Sequence, residues 1–111
     1  MMLDVHAHLD LLPKEKLKEI QENKKIKLVI TNSLDLKTSK NSLELGKEFS
    51  KVKVALGLFP DKKLKISDFE TFQNFVRKNK NSIVALGEIG IDLFHTKENF
   101  EIQKEVFAKE L

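Results

Sequence analysis

One pattern recurs along the chain and limits what it can fold into: a short apolar run, a turn, then a segment with helical periodicity. The runs are Leu3-Asp4-Val5, Leu28-Val29-Ile30, Val54-Ala55-Leu56 and Ile83-Val84-Ala85-Leu86, a spacing expected of βα units. The last three are continuous and do not alternate, as strands read when a parallel sheet is covered on both faces. Between them, apolar residues return at helical intervals. Leu17 and Ile20 share one face; so do Leu36, Leu43 and Phe49, with Gly46 beside them where a neighbour packs closely. Phe69, Phe72 and Val76, widened by Phe75, form a third stripe, and Phe100, Gln103, Phe107 and Leu111 a fourth. Asp35, Ser67 and Asp68 are candidate N-caps, and Pro13 reads as the first residue of a helix.

Four successive βα units make the class α/β and leave two architectures, an open doubly wound sheet and a (β/α) barrel. An eight-unit barrel takes about 250 residues, so residues 1–111 would be the N-terminal half of one. Right-handed crossovers place consecutive strands side by side. A half-barrel of the TIM-barrel type therefore predicts strand order 1-2-3-4, curved, with helices on the convex face. Leu111 falls inside a helical pattern with no Gly, Asn or Pro to end it, so a chain cut from a longer one is expected.

With no cysteine, the chain can hold no disulfide, thiolate metal site or cysteine nucleophile. That absence fits a reducing cytoplasm, as does an N-terminus without a basic, apolar leader. No apolar run approaches the roughly 18 residues of a membrane span. The net charge of +3 is almost all lysine, and Arg77 is the one arginine. A basic chain meets polyanions more readily, but lysines spaced as these are serve first to solvate helix faces.

Two places carry chemistry. His6 and His8 stand two apart on the first strand and so share a face, where two imidazoles can ligate one divalent metal. A buried strand then runs directly into Gly87-Glu88-Ile89-Gly90-Ile91-Asp92. An acidic side chain after four apolar residues must be exposed, paired or metal-bound. In α/β folds, sites form at the carboxyl ends of parallel strands, which puts Glu88 at the same end as the histidines. Thr31 and Asn32 end the second strand on that side, where they could line a pocket or serve in capping and turn formation.

Asp-x-His-x-His on the first strand, Gly-x-x-Pro after the third and Gly-Glu-x-Gly-x-Asp after the fourth together resemble the TatD family of metal-dependent deoxyribonucleases. The likeness runs along the whole chain, including Gln103 and Phe107. It implies an amidohydrolase-like metal barrel that hydrolyses the phosphodiesters of DNA with one or two divalent metals, Zn, Mn or Mg. It further implies that His6 and His8 hold one metal and that Glu88 bridges two, as ligand and catalytic group. Such a site activates water and offsets charge on phosphoryl oxygens. Asp4, Asn32, Asp92 and His95 are weaker candidates for contacting substrate or supporting the ligands. The chain departs from the family in two ways. Phe59 stands where the family's Gly-x-His-Pro motif has histidine, and the family's later ligands, two histidines and an aspartate, lie beyond this length.

Two other readings stay open: a non-catalytic half-barrel that associates with itself, and another phosphoesterase with His-x-His on its first strand, of the polymerase-and-histidinol-phosphatase type. Gly-Glu-x-Gly-x-Asp favours the TatD resemblance over the latter. In any of the half-barrel readings the open strand edges and uncovered inner face predict a homo-oligomer.

Overall fold

The computed structural model describes residues 1–59, 65–91 and 100–110. Pro60, Asp92, His95 and Leu111 lie outside the described residues. Four strands, β1 (Met2–Ala7), β2 (Ile26–Asn32), β3 (Val52–Leu56) and β4 (Ala85–Leu86), alternate with four helices, α1 (Lys14–Glu22), α2 (Leu36–Glu48), α3 (Ile66–Lys78) and α4 (Phe100–Glu110). The strands are all parallel and lie in the order β1-β2-β3-β4. The sheet is half a barrel, as the repeated pattern predicts.

Alternation on β3 shows where the core sits. Val52, Val54 and Leu56 share one face, and all three are buried under helices. Val54 and Leu56 meet Leu43 of α2, Phe69 and Phe72 of α3 and Val106 of α4. Val52 joins Val29 of β2, Leu17 of α1, Leu9 and Phe49 in a second cluster. A Cβ on Gly46 would stand 2.9 Å from Val54 Cγ2, so glycine lets α2 settle onto β3. The helices thus cover one face of the sheet.

The continuous run at Ile83-Val84-Ala85-Leu86 implies burial on both faces, yet β4 is exposed, Leu86 being among the exposed large apolar residues; β1 is largely exposed too, with Leu3 and Val5 in the open. These strands form the two edges, and among the described residues nothing pairs with their outer sides. Ile83 and Val84 precede β4 and are not part of it. Asp35 caps α2 as expected, accepting from Thr38 N at 2.8 Å. Ser67 and Asp68 do not cap α3. The N-cap is Lys65, and the Asp68 carboxylate reaches back to its amide at 2.8 Å. Pro13 stands one residue before α1, its carbonyl accepting from Lys16 and Leu17. On α4 the buried residues are Gln103 and Val106, while Phe107 is half-exposed.

Candidate metal centre

His6, His8 and Glu88 come together at the carboxyl end of the sheet. Each offers one ligand atom, and the three atoms lie within 4.8 Å of one another. His6 Nε2 is 3.4 Å from Glu88 Oε1, and His8 Nε2 is 3.6 Å from Glu88 Oε2. The two imidazoles meet edge to face, with centroids 5.3 Å apart. In a flat sheet, three strand spacings would hold β1 and β4 roughly 14 Å apart. Curvature closes part of that gap, and the path of the chain after β4 closes more.

That path depends on Gly57. The Gly87 amide donates to Leu56 O on the neighbouring strand at 2.8 Å. The Glu88 amide reaches one strand further, to Ser33 O just past β2, at 3.1 Å. The chain therefore crosses over the end of β3, and it crosses at Gly57. A Cβ there would overlap the Glu88 amide nitrogen and the Gly87 carbonyl carbon. The sequence marks Gly57 only as part of a Gly-x-x-Pro motif; its physical task is to let the backbone carrying Glu88 pass.

Ser33 braces the crossing. Its hydroxyl accepts from Gly57 N at 3.1 Å and pairs with Ser39 Oγ at 2.8 Å, and Ser39 Oγ donates to Asp35 O at 2.6 Å. Each hydroxyl donates once, so the bonds run as a chain from Gly57 N–H through Ser33 and Ser39 to the N-cap carbonyl of α2. Both serines are fully buried. Sequence reasoning missed them, since serines near a strand end and on a helix read as solvated.

The histidines are held separately. His8 Nδ1 lies 2.9 Å from Asn32 O. A carbonyl only accepts, so Nδ1 carries a proton, and Nε2 is the ring nitrogen that faces Glu88 and would offer its lone pair to a cation. Two imidazole nitrogens and a carboxylate with this freedom suit Zn, Mn or Mg to different degrees, so the donor set fits a divalent cation. His6 lies in an irregular stretch of β1, where the three steps from Asp4 to Ala7 match the two from Val29 to Thr31 on β2. The Asp4 carboxylate accepts from His6 N at 2.9 Å. Asp4 therefore supports His6 through the main chain and is outside the ligand cluster. Thr31 faces the helices and accepts from Leu9 N at 3.1 Å, so it does not line the site. Phe59 is partly exposed, its amide bonded to Leu34 O at 2.7 Å.

The family described as TatD related DNase matches residues 3–111. This chain belongs to that family. A metal-dependent hydrolase of Methanocaldococcus jannaschii is 32% identical over 112 residues, covering 96% of this chain and 43% of the relative. The metal-dependent hydrolase YabD of Bacillus subtilis is 25% identical over 115 residues, covering 100% of this chain and 45% of the relative. The crystal structure of YjjV, a TatD homologue from Escherichia coli, superposes with a TM-score of 0.82 at 25% identity, covering 98% of this chain and 44% of that one. The chain thus spans less than half the length of these relatives. Among the described residues, no helix is long and apolar enough to cross a membrane.

Proposed function

We propose that residues 1–111 form the N-terminal half of a metal-dependent hydrolase barrel, with His6, His8 and Glu88 holding one or two divalent cations, and that the substrate is a phosphodiester of DNA. The observation that carries this reading is the gathering of two imidazoles and a carboxylate, from opposite edges of the sheet, within 4.8 Å. The relatives named as metal-dependent hydrolases support the reaction class, and the family's description supports the substrate. A divalent cation in this position supplies Lewis acidity for hydrolysis. The chain's own residues do the rest. His6 on β1 and His8 just after it would present nitrogen lone pairs, and Glu88 adds negative charge from the far edge with two oxygens that could serve two cations. The Asn32 carbonyl keeps the His8 ring turned toward them.

A second reading, a half-barrel that associates with itself without catalysis, is favoured by one observation: the exposure of Leu3, Val5 and Leu86 on the edge strands. The two are separated by titrating the protein with Zn2+, Mn2+ and Mg2+ and assaying DNA cleavage with each. We expect saturable binding that His8→Ala abolishes, and cleavage that a chelator stops. Because the chain spans under half the length of its relatives, binding is the more direct readout. Failure of all three cations to bind in a His8-dependent way would refute the metal centre. Binding with no cleavage of any phosphodiester would favour the second reading.

A further inference from the structure

At the irregular stretch of β1, the regular ladder is broken. Backbone groups that lose ladder partners need others, and here side chains supply them. Asp4 takes the His6 amide. The Val5 carbonyl, one residue before the ligand, accepts from Asn32 Nδ2 at 3.2 Å. The same nitrogen reaches Ile30 O at 3.3 Å. Both partners are carbonyls, so the amide orientation is fixed: nitrogen toward β1 and β2, Oδ1 toward Gly87, where a Cβ would stand 3.0 Å away. Asn32 is also the residue whose main-chain carbonyl holds His8 Nδ1. It is only 7% exposed, so its contacts are made in a dry setting.

One residue thus touches the chain just before His6, holds the His8 ring and lies against the residue before Glu88. We propose that Asn32 is the positioning residue of the cluster, setting the separation of all three ligand atoms through its amide and its carbonyl. The proposal rests on the reading of His6, His8 and Glu88 as a metal centre. It assigns Asn32 no contact with substrate. Its side-chain amide secures the β1 segment that carries His6, and the strand end so fixed keeps its carbonyl beneath the His8 ring.

The test compares Zn2+ binding by calorimetry for the wild type, Asn32→Ala, Asn32→Asp and His8→Ala, with the tautomers of both histidines read by nitrogen-15 NMR in the metal-free wild type and Asn32→Asp. Asn32→Asp keeps the volume and removes both donors. Its added negative charge would by itself favour a cation, so weaker binding would run against the direct electrostatic effect. We expect both Asn32 variants to bind about 10–100-fold more weakly. We also expect His8 of the wild type to be the Nδ1–H tautomer, and Asn32→Asp to populate both. Asn32→Asp binding as tightly as the wild type, or His8 of the wild type in the Nε2–H form, would overturn the proposal while leaving the metal centre standing. Binding unchanged by His8→Ala would overturn the metal centre and the proposal with it. The wild-type tautomer and Asn32→Asp keep the proposal open to refutation even if Asn32→Ala does not fold.

Discussion

Removing the Ser33 hydroxyl should cost more than its size suggests, because one buried donor depends on it. Ser33 is fully buried, and among the described residues its Oγ is the acceptor for the Gly57 amide, at 3.1 Å. In Ser33→Ala that amide is left without a partner, an omission worth about 1–3 kcal/mol. Ser39→Ala removes a hydroxyl just as buried but orphans nothing. Asp35 O still accepts from Ser39 N at 2.9 Å, and the Ser33 hydroxyl can turn to Ala55 O at 3.4 Å. That variant should cost only the net value of a hydrogen bond, about 0.5–1.5 kcal/mol. Central values are therefore about 2 and about 1 kcal/mol, and the double variant should lose less than their sum because the two share one bond. Urea unfolding followed by circular dichroism measures all three. If Ser39→Ala proves as costly as Ser33→Ala, or if Ser33→Ala costs under about 0.5 kcal/mol, the bonded chain does not brace the crossing.

Gly57→Ala should displace the backbone that carries Glu88, since the added Cβ would overlap main-chain atoms that cannot rotate away. We expect metal affinity to fall at least about 10-fold and stability by roughly 1–3 kcal/mol; calorimetry giving wild-type affinity would refute the crossing. The purified 12.8 kDa chain should run as a dimer or larger species in light scattering, and Val5→Lys, which charges the exposed edge strand, should shift it toward monomer. A sharp wild-type monomer with a cooperative melt would refute self-association.

What the sequence disclosed and what it hid follow from the range of the interactions involved. The strand order came from the repeat of apolar runs, because chirality leaves consecutive βα units one way to pack. His6 and His8 were visible because strand periodicity is local, and Glu88 because a carboxylate after four apolar residues demands an explanation. The irregularity in β1 was not visible, since it exists only as a mismatch against β2. Ser33 was invisible for the same reason: its hydroxyl is taken by the Gly57 amide, 24 residues on, and Ser39 matters to the crossing only through its bond to Ser33. The exposure of β1 and β4 was foreseen as open edges, yet the apolar run of β4 alone suggested a buried strand. Composition records what a strand is suited to, while coverage depends on what lies next to it.

The curvature of the sheet also has a thermodynamic meaning. β1 and β4 have no hydrogen bond between them, being the two margins of a four-stranded sheet. Glu88 follows His8 by 80 residues (88 − 8), so a cation held by both would fasten most of the chain into a closed loop. A permanent cross-link over such a loop removes about 4–5 kcal/mol of unfolded-state entropy, and a reversible one stabilises by about 2.7 kcal/mol at 100 times its dissociation constant. Ligation would then act as a tie-bar across the arc. The melting temperature would rise with cation concentration, and the bend of the sheet would be set by the same three side chains that carry the chemistry.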